Sequence, residues 1–158
     1  MNNREVLILD TNLLLLFTVG SVSRDLIGRH KRVSNLFVEE DFDLLLKILA
    51  GAEDVLLTPN TLTETSNMLA HIAEPAKSKL FEMLAKIIDD GNEVVVSSKG
   101  AATSKHFYRL GLTDAVLIRQ CSDSRAVLLT TDFDLCGAVQ SEGREAWTFN
   151  HLRDAQWN

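Results

Sequence analysis

Four carboxylates carry the chemistry that this sequence suggests: Asp10, Glu64, Asp114 and Asp132. Asp10 directly follows the apolar run Val6-Leu7-Ile8-Leu9 and opens Asp10-Thr11-Asn12. Asp132 likewise follows an apolar run ending in Thr130 and Thr131, and is itself followed by Phe133 and Asp134. Glu64 and Asp114 instead fall in the first turns of helical segments. Taken singly, each placement has a plain structural explanation, because Asp, Asn and Thr cap helices and first-turn acids complement the helix dipole. At Asp10 capping and catalysis are equally good readings. At Glu64 a dipole role, or a capping box with Thr61, is the simpler one. Placed together, the four say more. Carboxylates crowded into one cleft repel and shift each other's pKa, so clustering is unfavourable unless a cation neutralises them. Oxygen donors with no nearby Cys and no pair of His favour Mg²⁺ or Mn²⁺ over zinc. Such an ion polarises a phosphoryl oxygen and activates water, the chemistry of phosphoester and phosphodiester hydrolysis.

The elements that must position these acids alternate along the chain. Short, near-continuous apolar runs at 6–9, 55–58, 93–97, 126–131 and 145–149 read as strands, the first and fourth buried on both faces. Between them the pattern predicts a short buried helix over 13–19 ended by Gly20, and a polar stretch over 21–35 with the basic run Arg29-His30-Lys31-Arg32. A helix follows from Glu39 to Gly51, with Phe42, Leu45, Leu46 and Leu49 at helical spacing. Another begins near Asn60 or Thr61 and carries Glu64. An amphipathic helix opens at Pro75 with Leu80, Met83, Leu84, Ile87 and Ile88 inward. Ser98, Lys99 and Gly100 read as a turn, 103–110 as a short helix with Lys105, His106 and Arg109, and Thr113 as the cap of a helix that begins at Asp114. A last helix spans 135–142. This alternation implies a three-layer α/β/α fold around a mostly parallel sheet, in which ligands bind beyond the carboxyl ends of the strands.

Whole-chain properties set the bounds. With 158 residues and 46% hydrophobic content, residues 1–158 suit one domain with a sizeable core. A formal net charge of -6 announces no nucleic-acid binder, yet an acidic cluster awaiting a cation would contribute to that excess. Cys121 and Cys136 are too far apart for a CxxC pair and read as buried apolar groups in a reducing cytoplasm. Asp10, Thr11 and Asn12 interrupt the apolar run before it resembles a signal peptide or a membrane span.

The order Ile-Leu-Asp-Thr-Asn at 8–12, a helix with Glu64, Leu-Thr-Asp-Ala at 112–115 and Leu-Thr-Thr-Asp-Phe-Asp at 129–134 resembles the PIN domain family. That family comprises Mg²⁺- or Mn²⁺-dependent ribonucleases and includes the VapC-like toxins of toxin–antitoxin pairs. The resemblance covers Val6 to about Phe149. It implies an acidic quartet of Asp10, Glu64, Asp114 and Asp132, polar supporting positions at Asn12 and Thr130 or Thr131, and an accessory acid at Asp134. Asp10, Asp114 and Asp132 would hold the metal, and Glu64 would position or deprotonate the attacking water. RNA is the implied substrate, with an antitoxin protein and a second copy of the chain as candidate partners and no membrane. Products would carry 5′-phosphate and 3′-hydroxyl ends. Lys99, Lys105 and Arg109 precede the helix of Asp114 and would hold RNA phosphates beside the cleft.

Two alternatives share parts of this pattern. A haloacid-dehalogenase-type phosphatase also places an Asp after its first strand, but its general acid two residues later is here Asn12, which is no acid. A non-catalytic PIN-like scaffold binding RNA or protein would retain the acids without cutting. A kinase or GTPase lacks its Gly-rich phosphate loop.

Overall fold

A computed structural model of the chain describes residues 4–157, so residues 1–3 and 158 of the expected 1–158 span lie outside the described residues. Five strands, β1 (Val6–Leu9), β2 (Asp54–Leu57), β3 (Asn92–Glu93), β4 (Val127–Thr130) and β5 (Ala146–Thr148), form one parallel sheet in the order β3-β2-β1-β4-β5. The connecting helices are α1 (Thr11–Val22), α2 (Asp25–Arg29), α3 (Lys31–Ser34), α4 (Glu39–Ala50), α5 (Pro59–Leu69), α6 (Ala76–Asp90), α7 (Ser98–Ala101), α8 (Phe107–Leu110), α9 (Leu112–Ser124), α10 (Phe133–Ser141) and α11 (Phe149–Trp157).

The two-residue period of the strands sorts the core into two layers. Leu9, Leu57 and Leu129 face the buried leucines of α1 together with Leu45 of α4, Leu62 of α5 and Leu80 of α6. Their neighbours Ile8, Leu56 and Leu128 face Leu117 and Ile118 of α9 and Leu135 and Val139 of α10. Apolar residues are therefore needed on both sides of each strand, which is why the runs are continuous rather than alternating. Right-handed crossovers explain which helices lie where: the chain steps from β1 to β2 to β3 in one direction, then reverses to β4 and β5, and the helices change face with it. The expected three-layer α/β/α fold is present, with every strand pair parallel.

The reversal opens a crevice between the carboxyl ends of β1 and β4, the place where such sheets bind ligands. Asp10 and Asp132 stand at that edge.

Several local expectations differ. Gly20 does not end the first helix but lies inside α1, where an added Cβ would sit 2.3 Å from the Phe42 ring. Its role is close approach of α1 to α4. On α4, Leu44 is buried where Leu46 was expected inward, and Leu46 is exposed. Of the 93–97 run only Glu93 pairs as strand, in the two-residue β3 (Asn92–Glu93), leaving Val95 exposed beyond the short edge. Ser98 to Gly100 belong to the helical turn α7. Of the 103–110 segment only Phe107–Leu110 is helical. The tail after β5 forms α11, whose Phe149 is fully buried. No helix among the described residues is long and apolar enough to cross a membrane.

Candidate active site

Asp10 caps α1 and clasps two strands at once. Its Oδ1 accepts from the Leu13 amide at 2.9 Å, closing the first turn of α1. Its Oδ2 accepts from the Thr130 hydroxyl at 2.6 Å, the Thr131 amide at 2.8 Å and the Thr131 hydroxyl at 3.3 Å. The capping reading of Asp10 holds, and the same carboxylate also bonds across to Thr130 and Thr131. Burial pushes the Asp10 carboxyl above its ordinary value, while these donors pull in the other direction by favouring the charged form.

Thr130 connects this acid to the next. While its hydroxyl donates to Asp10, its oxygen accepts from the Asp132 amide at 3.0 Å. Asp132 then caps α10, its Oδ1 accepting from the amides of Asp134 at 2.8 Å and Leu135 at 3.2 Å.

Glu64 lies one turn into α5 and is gripped from two other helices. The Thr11 hydroxyl of α1 donates to its Oε2 at 3.0 Å, and the Thr113 hydroxyl of α9 donates to its Oε1 at 2.7 Å. Neither the capping box with Thr61 nor the Thr113 cap forms. Thr58 caps α5 by accepting from the Thr61 amide, and α9 starts at Gly111, whose φ of 87° lies in the left-handed region that glycine tolerates. Freed from capping, Thr113 turns its hydroxyl to Glu64. Sequence reasoning missed Thr11 and Thr113 as site residues; the available signal was a hydroxyl residue beside an acid in both Asp10-Thr11 and Thr113-Asp114.

Asp114 completes the group. Its half-buried carboxyl is pushed up to about 7, by burial first and then by the negative charges of Asp132, Asp10 and Glu64. Asp10, Glu64 and Asp132, spread over 122 positions of sequence from Asp10 to Asp132, therefore all act on Asp114. Among the described residues, no Lys, Arg or His lies within ion-pair distance of any of them. Nor, among the described residues, are any three His, Cys, Asp or Glu side chains grouped so as to hold an ion between them. The acids share one field without forming a closed cage.

The supporting positions are divided. Thr130 and Thr131 both bond to Asp10. Asn12 is half-buried in the first turn of α1. Asp134 is exposed and lies 3.9 Å from Arg109, which brings that cation to the N-terminal end of α10 beside Asp132. Lys105 instead approaches Glu142 at 3.6 Å, at the opposite end of α10, whose nine residues span roughly 13 Å. Lys99 is exposed on α7. Within the basic run, His30 is fully buried while Arg29, Lys31 and Arg32 are exposed.

Compared with known proteins, the chain matches no family model and no curated sequence.

Proposed function

We propose that this chain is a Mg²⁺- or Mn²⁺-dependent ribonuclease of the PIN type that hydrolyses RNA phosphodiester bonds at the Asp10–Glu64–Asp114–Asp132 group. The observation that carries this reading is the Asp114 carboxyl, driven to about 7 by burial and three neighbouring acids with no protein cation among the described residues to relieve it. Sustained repulsion at a strand-end crevice suits a site whose missing charge arrives with a ligand.

Asp10, Asp114 and Asp132 would hold the cation. An open group of carboxylates fits Mg²⁺, which keeps several of its waters and binds through one or two carboxylates rather than a closed protein cage. When bound, the ion would supply Lewis-acid polarisation of the phosphoryl oxygen and neutralise charge developing around phosphorus. The protein's part is positioning and proton transfer. Glu64, held by two hydroxyl donors, orients the attacking water and accepts its proton through a remaining lone pair. Asp10, with donors on both oxygens, is fixed in place. That arrangement suits holding rather than nucleophilic attack, which favours hydrolysis over a phosphatase route through an aspartyl intermediate.

The test is cleavage of single-stranded RNA by purified protein with Mg²⁺, with Mn²⁺ and with EDTA. Cutting that needs the cation and is lost in Asp114→Asn is expected. Cutting that survives EDTA overturns the metal assignment, release of phosphate from small phosphoesters without RNA cleavage favours the phosphatase, and RNA binding without cutting favours the scaffold.

A further inference from the structure

The two edges of the sheet are finished differently. At β5 the Leu128 amide donates to the Glu145 carbonyl, so alternate residues bond inward and Ala146 turns its backbone groups outward. There the Ala146 carbonyl accepts from Gln140 Nε2 at 3.2 Å, and α11 follows β5 directly. At β3 the Val94 amide donates inward to the Leu57 carbonyl at 2.7 Å, so Glu93 and Val95 turn their backbone groups outward. Among the described residues, no side chain bonds to them.

This edge also runs on past its neighbour. β2 ends at Leu57 and Thr58 caps α5, so no strand lies beside the backbone of Val95 and Val96. Among the described residues, neither valine takes part in a backbone-to-backbone hydrogen bond. The side chains nevertheless keep the two-residue period of a strand. Val94 and Val96 pack half-buried toward α9, whereas Val95 stands 74% exposed on the other face. Ser97, extended at φ −64° and ψ 137°, closes the run by capping α7. Sheets protect open edges with Lys, Pro or a bulge, and residues 92–97, Asn-Glu-Val-Val-Val-Ser, contain neither Lys nor Pro. Unpaired donors and acceptors in a row beside an apolar side chain are the means by which a sheet accepts an added strand.

Charge selects which strand. Asp89, Asp90 and Glu93 precede Val95 and Lys99 follows it, all of them exposed. A parallel copy of this edge would set acids beside acids, whereas an antiparallel copy brings Lys99 to the acidic end. In an antiparallel pair, residues whose backbone groups face outward lie opposite one another and exchange both bonds. Centred on Val95, that register sets Val95 against Val95 of the second copy and Glu93 against Ser97, so valine meets valine and like charges are not opposed. We infer that residues 93–97 join two copies of this chain edge to edge, by antiparallel pairing about a two-fold axis at Val95. One pair of short strands covers less than the roughly 800 Å² per partner of a stable interface, so the dimer is reversible and concentration-dependent. Because β2 separates β3 from β1, and the two sheets run in opposite directions, each chain keeps its own acid group at opposite ends of the joined sheet. Nothing in this pairing depends on the ribonuclease reading.

Sedimentation velocity of the full chain, from low micromolar to millimolar concentration, tests it. The weight-average mass of the wild type is expected to rise from that of one chain toward twice that value, while hydrogen exchange at the Val95 amide slows in step. Val95→Lys, at an exposed position, sets two cations against each other on the axis and should stay monomeric at every concentration with an unchanged melting temperature. Val38→Lys, equally exposed but at the start of α4, should dimerise as the wild type does. A wild type that is monomeric throughout overturns the self-pairing and leaves the edge to a foreign strand. Dimerisation of Val95→Lys equal to that of the wild type, or a Val95 amide whose exchange is independent of concentration, overturns the placement of the contact at this edge.

Discussion

The Thr113 hydroxyl donates to Glu64 Oε1 at 2.7 Å across 49 positions of sequence, and with the Thr11 hydroxyl on Oε2 it fixes both oxygens of one carboxylate. The three helices that meet there, α1, α5 and α9, come from both faces of the sheet. Glu64 is thus held at the seam between the two layers.

Removing that grip should show in catalysis more than in stability. Thr113→Val deletes a hydrogen bond to a charged group, worth about 1.5–3 kcal/mol where nothing replaces it. Glu64 is only half-buried, so water recovers part of the loss and urea unfolding should register about 1 kcal/mol. The turnover number should fall while RNA affinity holds, and Thr113→Ser should restore it. Unchanged turnover in Thr113→Val would mean that Glu64 needs no orientation.

Asp114 ties stability to pH with a definite sign. Between its ordinary value of 3.8 and about 7, the native state retains a proton at Asp114 that the unfolded chain has released. The native state binds more protons there, so this group's contribution to stability falls as pH rises through that window. Asp114→Asn has no such proton to lose. Without divalent cation, its melting temperature should exceed that of the wild type by a margin that grows from pH 4 to pH 7 and then levels off. Mg²⁺ should raise the wild-type melting temperature at pH 8 and that of the variant less. A variant less stable than wild type at pH 8 without cation would instead assign the carboxylate to the helix dipole.

Arg109 lies 3.9 Å from Asp134 at the N-terminal end of α10, and under the proposed ribonuclease function it would meet RNA beside the acids. Arg109→Ala should lower affinity and reduce the slope of log affinity against log salt by roughly one, as one lost phosphate contact does. Lys105→Ala, at the Glu142 end of α10, should change the slope less. Salt titrations of RNA binding for the two variants decide whether the path runs past Arg109.

Gly20→Ala tests the packing beneath the site. The added methyl would lie 2.3 Å from Phe42 Cδ2, so the ring or α4 has to shift, at a cost of about 1–3 kcal/mol. Helix propensity alone would make the same change stabilising. Denaturant unfolding therefore gives opposite signs for a glycine that serves close approach and one that is incidental.

The two thiols should be inert in the native state. Burial pushes Cys121 up to about 12 and Cys136 upward as well, and both are buried free cysteines. Disulfide-exchange reagents at pH 8 should react with neither until denaturant is added, because the thiolate is the reactive form. Rapid labelling of Cys121 in native buffer would show that α9 opens locally.

Periodicity and punctuation were enough to place the strands at 6–9, 55–58 and 126–131, the helices after them and the parallel three-layer arrangement, because those signals are local and a doubly covered strand must be apolar on both faces. The acids at the strand ends were legible for the same reason. What each acid touches was not. Asp10 reads as cap or site residue, and it caps α1 while also accepting from Thr130; Thr113 reads as a cap, whereas Gly111 takes that position and the threonine reaches Glu64. Gly20 read as a stop, although only the Phe42 ring arriving from α4 explains it. Local patterns determine which elements form, whereas hydrogen bonds and cavities between residues distant in sequence exist only once the sheet order and register bring their atoms together.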